Sequence, residues 1–335
     1  MNKILYLIIF LFSTAFCEAQ TITSGDYKKL QTKEDSLKRY ALDIVQGESA
    51  DDRFAADSMF TRMFVRALQT KNSIEYPFDS LITISKLSSK DGSFKIYTWQ
   101  LMITDDMVRK HGAIQMKTAD GSLKLFPLLD MAEYIDHPAD TITNNLHWVG
   151  AVYYQLIEKN AFGKTFYTLL GYDENSISSN KKIIEILTFE DGKPIFGGSN
   201  FSFRDNSLHK KSMARYIMEY KKHAGPRLTY DADEDMIIIE HLISETGEPD
   251  KKYTYVGDGD YEGLKWKEGK WVHISKIFTQ TTAEGQEPVP HPLRDAKGNI
   301  DESKLSQRLP DYMQYDSVSP VKKETPVKKK KKGKD

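Results

Sequence analysis

The sequence predicts a mainly β fold: an antiparallel meander, closed as a barrel, stacked as a sandwich or broken into propeller-like blades, led by an N-terminal helical hairpin. Three observations predict it. Apolar residues between Leu37 and Leu68 recur at helical spacing. From about 78 to 278 the texture changes to short runs rich in Ile, Tyr, Phe, Trp and Thr. The connectors between those runs are short and carry glycine. That favours antiparallel neighbours, because parallel pairing needs crossovers of about a dozen residues or more.

The first helix is marked by Leu37, Tyr40, Ala41, Ile44 and Val45, one buried stripe, with Gly47 standing where a cap would end it. The second starts from about Asp51 and carries the stripe Phe60, Met63, Phe64, Ala67 and Leu68. Ser49, Asp51 or Asp52 is available to accept from the free amides at its start. Such a pair has an apolar face that must dock, and the strand region is the candidate surface.

Strands are expected at 94–103, 148–157, 166–172, 183–189, 215–220, 236–242, 253–256 and 271–278, with further ones around 113–116, 123–128 and 264–266. Asp91-Gly92, Asp120-Gly121, Asp191-Gly192 and Glu268-Gly269 each supply a glycine for a hairpin turn. Beyond about 280 apolar residues thin out and prolines punctuate the chain, which reads as extended or disordered. The expected division is a leader over 1–19, a helical segment over 20–75, a β domain over 76–280 and a tail over 281–335.

Met1, Asn2 and Lys3 lead into an unbroken apolar run from Ile4 to Phe12, the layout of an export signal. As a helix those nine residues cover roughly 14 Å, about half of a hydrocarbon core, too short for a membrane span. Cleavage after Ala19 would leave Gln20 as the new amino terminus. A lipoprotein would instead keep Cys17 as its acylated first residue, although Phe16 stands where such signals want a small side chain. Cys17 is the only cysteine, so cleavage after Ala19 leaves a mature chain without disulfides or thiolate chemistry. No later segment approaches a spanning length, and a soluble exported protein is expected.

The net charge of −1 hides an asymmetry. From Lys322 to Asp335 eight lysines stand against Glu324 and Asp335, giving +6, while Lys3 and Glu18 cancel in the leader, so the body carries −7. Lys328, Lys329, Lys330, Lys331 and Lys332 form a solid cationic run. Such a run attracts anionic surfaces, and in an export compartment that means lipid head groups or other envelope anions rather than nucleic acid.

The run Tyr97-Thr98-Trp99-Gln100, the strand from Lys182 to Phe189 and Pro194-Ile195-Phe196-Gly197 resemble segments of uncharacterised exported proteins of Bacteroidota-type bacteria. The resemblance implies an exported β-rich protein and brings no catalytic signature.

Candidate sites are few. In Asp258-Gly259-Asp260-Tyr261-Glu262-Gly263 alternating carboxylates flank a glycine as in oxygen-ligand loops for calcium, which makes Asp258, Asp260 and Glu262 the candidate metal ligands. Asp231, Asp233 and Asp235 begin like a calcium loop but place Met236 at its glycine position. Both clusters fall between expected strands, where Asp and Gly also serve simply to turn the chain.

The histidines, His111, His137, His147, His209, His223, His241, His273 and His291, are scattered, with no pair at zinc-site spacing. Glu240 and His241 are adjacent on an expected strand and aim at one ligand only if a bulge intervenes. Ser207-Leu208-His209-Lys210 matches Ser-x-x-Lys without its companion motifs.

Trp99, Trp148, Trp266 and Trp271 fall in expected strands as core residues, with Trp266 and Trp271 able to pair across a hairpin. The function that follows is an exported, non-catalytic envelope or secreted protein with a binding or structural role and no required cofactor. The alternatives are a carbohydrate-active hydrolase with acids in a tryptophan-lined sheet cleft, and a calcium-stabilised β module.

Overall fold

The computed structural model describes residues 21–104, 107–203 and 213–277. All of them lie in the first of the two units into which the chain divides, 1–279 and 280–335. The leader, the tail, the Ser207-x-x-Lys210 match and the lysine run lie outside the described residues.

Helix α1 spans Ser24–Gln46 and α2 spans Ala50–Leu68. Thr23 caps α1 by accepting from the Asp26 amide. Ser49 and Asp52 make a reciprocal capping box at the start of α2, so two orphan amides are satisfied at once. The short link between the helices folds them into the expected hairpin. The stripe of α1 runs through Leu30, Glu34, Leu37, Ala41 and Ile44. Val45, expected on that stripe, is 52% exposed, because one residue past Ile44 is a turn of about 100° away from it.

The first sheet comprises β1 (Ser85–Ser88), β2 (Phe94–Thr104), β3 (Met107–Met116) and β4 (Lys124–Leu129), antiparallel and in chain order. Then follow β5 (Thr143–Asn144), β6 (Val152–Ala161), β7 (Lys164–Asp173), β8 (Ser179–Glu190), β9 (Lys193–Phe196), β10 (Phe201–Ser202) and β11 (Arg215–Lys221). The last four strands are β12 (Leu228–Asp231), β13 (Met236–Ser244), β14 (Tyr255–Lys267) and β15 (Lys270–Ile274). The second sheet has the order β5-β9-β8-β7-β6, with β11 on the free half of β8. The third has the order β10-β15-β14-β13-β12. Among the described residues pairing is antiparallel except for the short β10–β15 contact and an isolated bridge between Asp130 and Trp148.

Alternation along the strands sorts the apolar side chains into three cores and so stacks the sheets. From β2, Tyr97, Trp99 and Leu101 meet Phe60, Phe64 and Ala67 of the helices. Phe94 and Ile96 point the other way, onto Leu169, Ile183 and Leu187 of the second sheet. From β8, Ile184 and Ile186 face Ile237, Ile239, Leu264 and Trp271 of the third sheet. The result is a helical layer and three sheets in series, with no closed barrel among the described residues. Of the three expected closures, the stacked one is found.

The turns at Asp191-Gly192 and Glu268-Gly269 have positive φ at both residues, the conformation that follows the strand twist in two-residue hairpins. Several strand expectations change: β3 extends the expected 113–116 back to Met107, and β15 ends at Ile274 rather than 278. Trp148 precedes β6 rather than starting it, and lies buried in the second core with its indole N–H on the Tyr153 hydroxyl at 2.7 Å. The segments expected at 253–256 and 264–266 are one strand, β14, which runs through the carboxylate cluster between them. Among the described residues, no helix is long and apolar enough to cross a membrane.

Candidate functional site

The 258–263 cluster, expected as a loop, lies inside β14. In the ladder with β13, Glu240 opposes Tyr261 and Leu242 opposes Gly257, so His241 alone faces Asp258, Gly259 and Asp260. These three residues form a bulge. Gly259 takes φ +86°, a conformation side-chain-bearing residues rarely adopt. The Asp260 amide donates to Asp258 Oδ1 at 3.0 Å, and His241 Nδ1 lies 2.7 Å from Asp258 Oδ2. Burial raises the Asp258 pKa, but the contacts with His241 and the Asp260 amide outweigh it and hold this carboxyl below its ordinary value.

The bulge meets the condition set by strand alternation, and Glu240 and His241 both line one cleft. The cleft, of about 270 Å³, opens between edge strand β11 on one side and β13 and β14 on the other. Tyr216, Met218, Leu242 and Tyr255 give it apolar walls, and Glu219, Glu240 and Glu262 give it negative charge. Each of these acids is held in place: Glu240 accepts from the Arg227 amide at 2.7 Å, Glu262 meets His273 Nε2 at 2.9 Å and Glu219 accepts from Ser179 Oγ at 2.7 Å. Burial, reinforced by the charge of Glu262, raises the Tyr216 pKa and keeps the phenol neutral. Lys252 stands at the rim with its ammonium 4.5 Å from the centre of the Tyr255 ring, so one wall already carries a cation.

The three expected metal ligands do not converge. Asp258 goes to His241, Glu262 to His273, and Asp260 to Lys276 at 3.7 Å. Among the described residues no group of three or more His, Cys, Asp or Glu side chains is arranged to hold a metal ion. The second acidic cluster is the turn between β12 and β13, where Asp231 Oδ1 accepts the amides of Asp233 and Glu234 and Asp235 pairs with Lys159.

The tryptophans do not line this cleft. Trp99, Trp148 and Trp271 are buried. Trp266 is half-buried against Phe166 and pairs with Trp271 across the β14–β15 hairpin, the ring centroids 5.3 Å apart.

Among the described residues the deepest charges belong to the scaffold. Arg215 and Glu185 are fully buried and meet at 2.9 Å; Tyr153 donates its hydroxyl to Glu185, and Arg215 donates to the carbonyls of Pro138 and Thr141 and to Thr143 Oγ1. This network ties the 138–143 segment to the second sheet.

No protein-family model, curated protein or solved structure matches the chain.

Proposed function

We propose that this chain is an exported, non-catalytic binding protein of a bacterial envelope or its surroundings, and that the cleft between β11 and the β13–β14 bulge takes a small ligand bearing a cationic group. The observation that carries this reading is the bulge itself. It brings Glu240 to the same aromatic-walled space as His241 and Glu262, although strand alternation alone would set Glu240 on the other face. The acids there are fixed by amide, hydroxyl and imidazole partners, which suits a preorganised charge complement to a bound cation. Lys252 over Tyr255 is an internal example of that contact. Export is supported by the leader, and retention at an anionic envelope surface by Lys328, Lys329, Lys330, Lys331 and Lys332.

Calorimetric titration of the mature chain with cadaverine tests the cleft. Saturable binding is expected, weakened roughly tenfold by Glu262→Gln and diminished by salt. Heat that does not saturate, or equal binding by the variant, overturns the cleft as the site. Fractionation of cells carrying a chain without residues 328–332 tests the tail. The shortened chain is expected to be released more readily at low salt, and equal release removes the tail from the proposal.

A further inference from the structure

We propose that the groove where α2 crosses the end of the first sheet is a second binding site, for a small, mainly apolar molecule that carries a hydroxyl group. The groove measures about 590 Å³, within the usual range for small-molecule sites, and Pro127, Leu128 and Leu129 give it an apolar floor. Leu129 is 48% exposed there.

The polar groups of the groove come from two elements. Asp57, buried on α2, accepts from the indole N–H of Trp99 at 2.8 Å, and His111 Nδ1 on β3 lies 3.0 Å from the same oxygen. The carboxylate oxygen accepts from both, so Nδ1 carries a proton, and a ring bearing that one proton offers Nε2 as an acceptor. The His111 side chain is 26% exposed where it lines the groove, and the described residues make no hydrogen bond to Nε2.

One turn further along α2, Thr61 lines the same groove. Its Oγ1 is buried and has no hydrogen-bond partner. A buried hydroxyl without a partner is uncommon and costly, and a ligand hydroxyl would relieve it. A hydroxyl also donates, as Nε2 requires. An apolar body with one hydroxyl therefore satisfies floor, imidazole and threonine together.

Fluorescence titration of the mature chain with 2-naphthol and with 2-methoxynaphthalene, which lacks the donor, tests the site. The naphthol is expected to bind roughly fivefold or more tightly, with the preference reduced in Thr61→Val and lost in His111→Phe. In the unsubstituted protein, imidazole NMR avoids any question of folding: naphthol, but not its methyl ether, is expected to shift the His111 Nε2 resonance. Equal affinity for the two probes, no binding of either, or an unmoved His111 resonance would overturn the proposal.

Discussion

Arg215 is fully buried, and each of its guanidinium nitrogens has a partner in Glu185, Pro138, Thr141 or Thr143. Removing it would leave Glu185 as an uncompensated charge in a dry core, a loss of about 3–5 kcal/mol. Arg215→Leu is therefore expected to lower the urea midpoint sharply. The double variant Arg215→Leu with Glu185→Leu should recover a large part of that loss, because it removes both desolvated charges together; a double variant no more stable than the single one would contradict this account. None of this was legible in the sequence. Arg215 read only as the first residue of a strand, and its partner lies thirty positions away, brought opposite by the register of β11 on β8. The Asp57–His111 pair was hidden for the same reason, with one residue on a helix and the other on a strand. Spacing rules find partners on one element and are blind to those that meet across layers.

At the scale of elements, local chemistry was legible where one reading was physically available. Ser49 followed by Asp52 can cap a helix, and it does. The Asp-Gly and Glu-Gly dipeptides expected to turn the chain do turn it between strands. At Asp258-Gly259 the same dipeptide makes a bulge, because whether a glycine turns a strand or only kinks it depends on the partner strand continuing alongside. The short strands β1, β5, β9, β10 and β12 were missed because their neighbours, more than their own residues, define them. The bulge carries a pH signature whose sign follows from Asp258. Its folded pKa is depressed, so its contribution is complete above the unfolded value of about 4 and is lost as pH falls through the folded value. Asp258→Asn is accordingly expected to cost roughly 1 kcal/mol at pH 7, a cost that shrinks as pH falls through the folded value. Urea unfolding of both proteins from pH 7 into acid checks it, and a deficit that does not shrink as pH falls would show that the carboxylate charge is not what holds the bulge.

For the whole molecule, the decisive feature is that the second sheet is buried on both faces. Leu169 and Ile183 rest on the first sheet, while Leu170, Ile184 and Met218 rest on the third. Detaching the third sheet would expose the latter set and Tyr220 to water, at about 1.5–3 kcal/mol for each large apolar side chain. That cost resists an intermediate in which one layer leaves while the others stand. The chain supplies its own reporters, since Trp99 sits in the core between helices and first sheet, Trp148 in the next and Trp271 in the last. Variants that each keep one of these three, with the remaining tryptophans replaced by phenylalanine, isolate one core apiece. Each variant should show the same denaturation midpoint by tryptophan fluorescence as by far-UV circular dichroism, the criterion for cooperative unfolding. If the Trp271 reporter melted ahead of the backbone signal, the third sheet would be a separable layer. The cleft that borders it would then open without the rest of the protein unfolding.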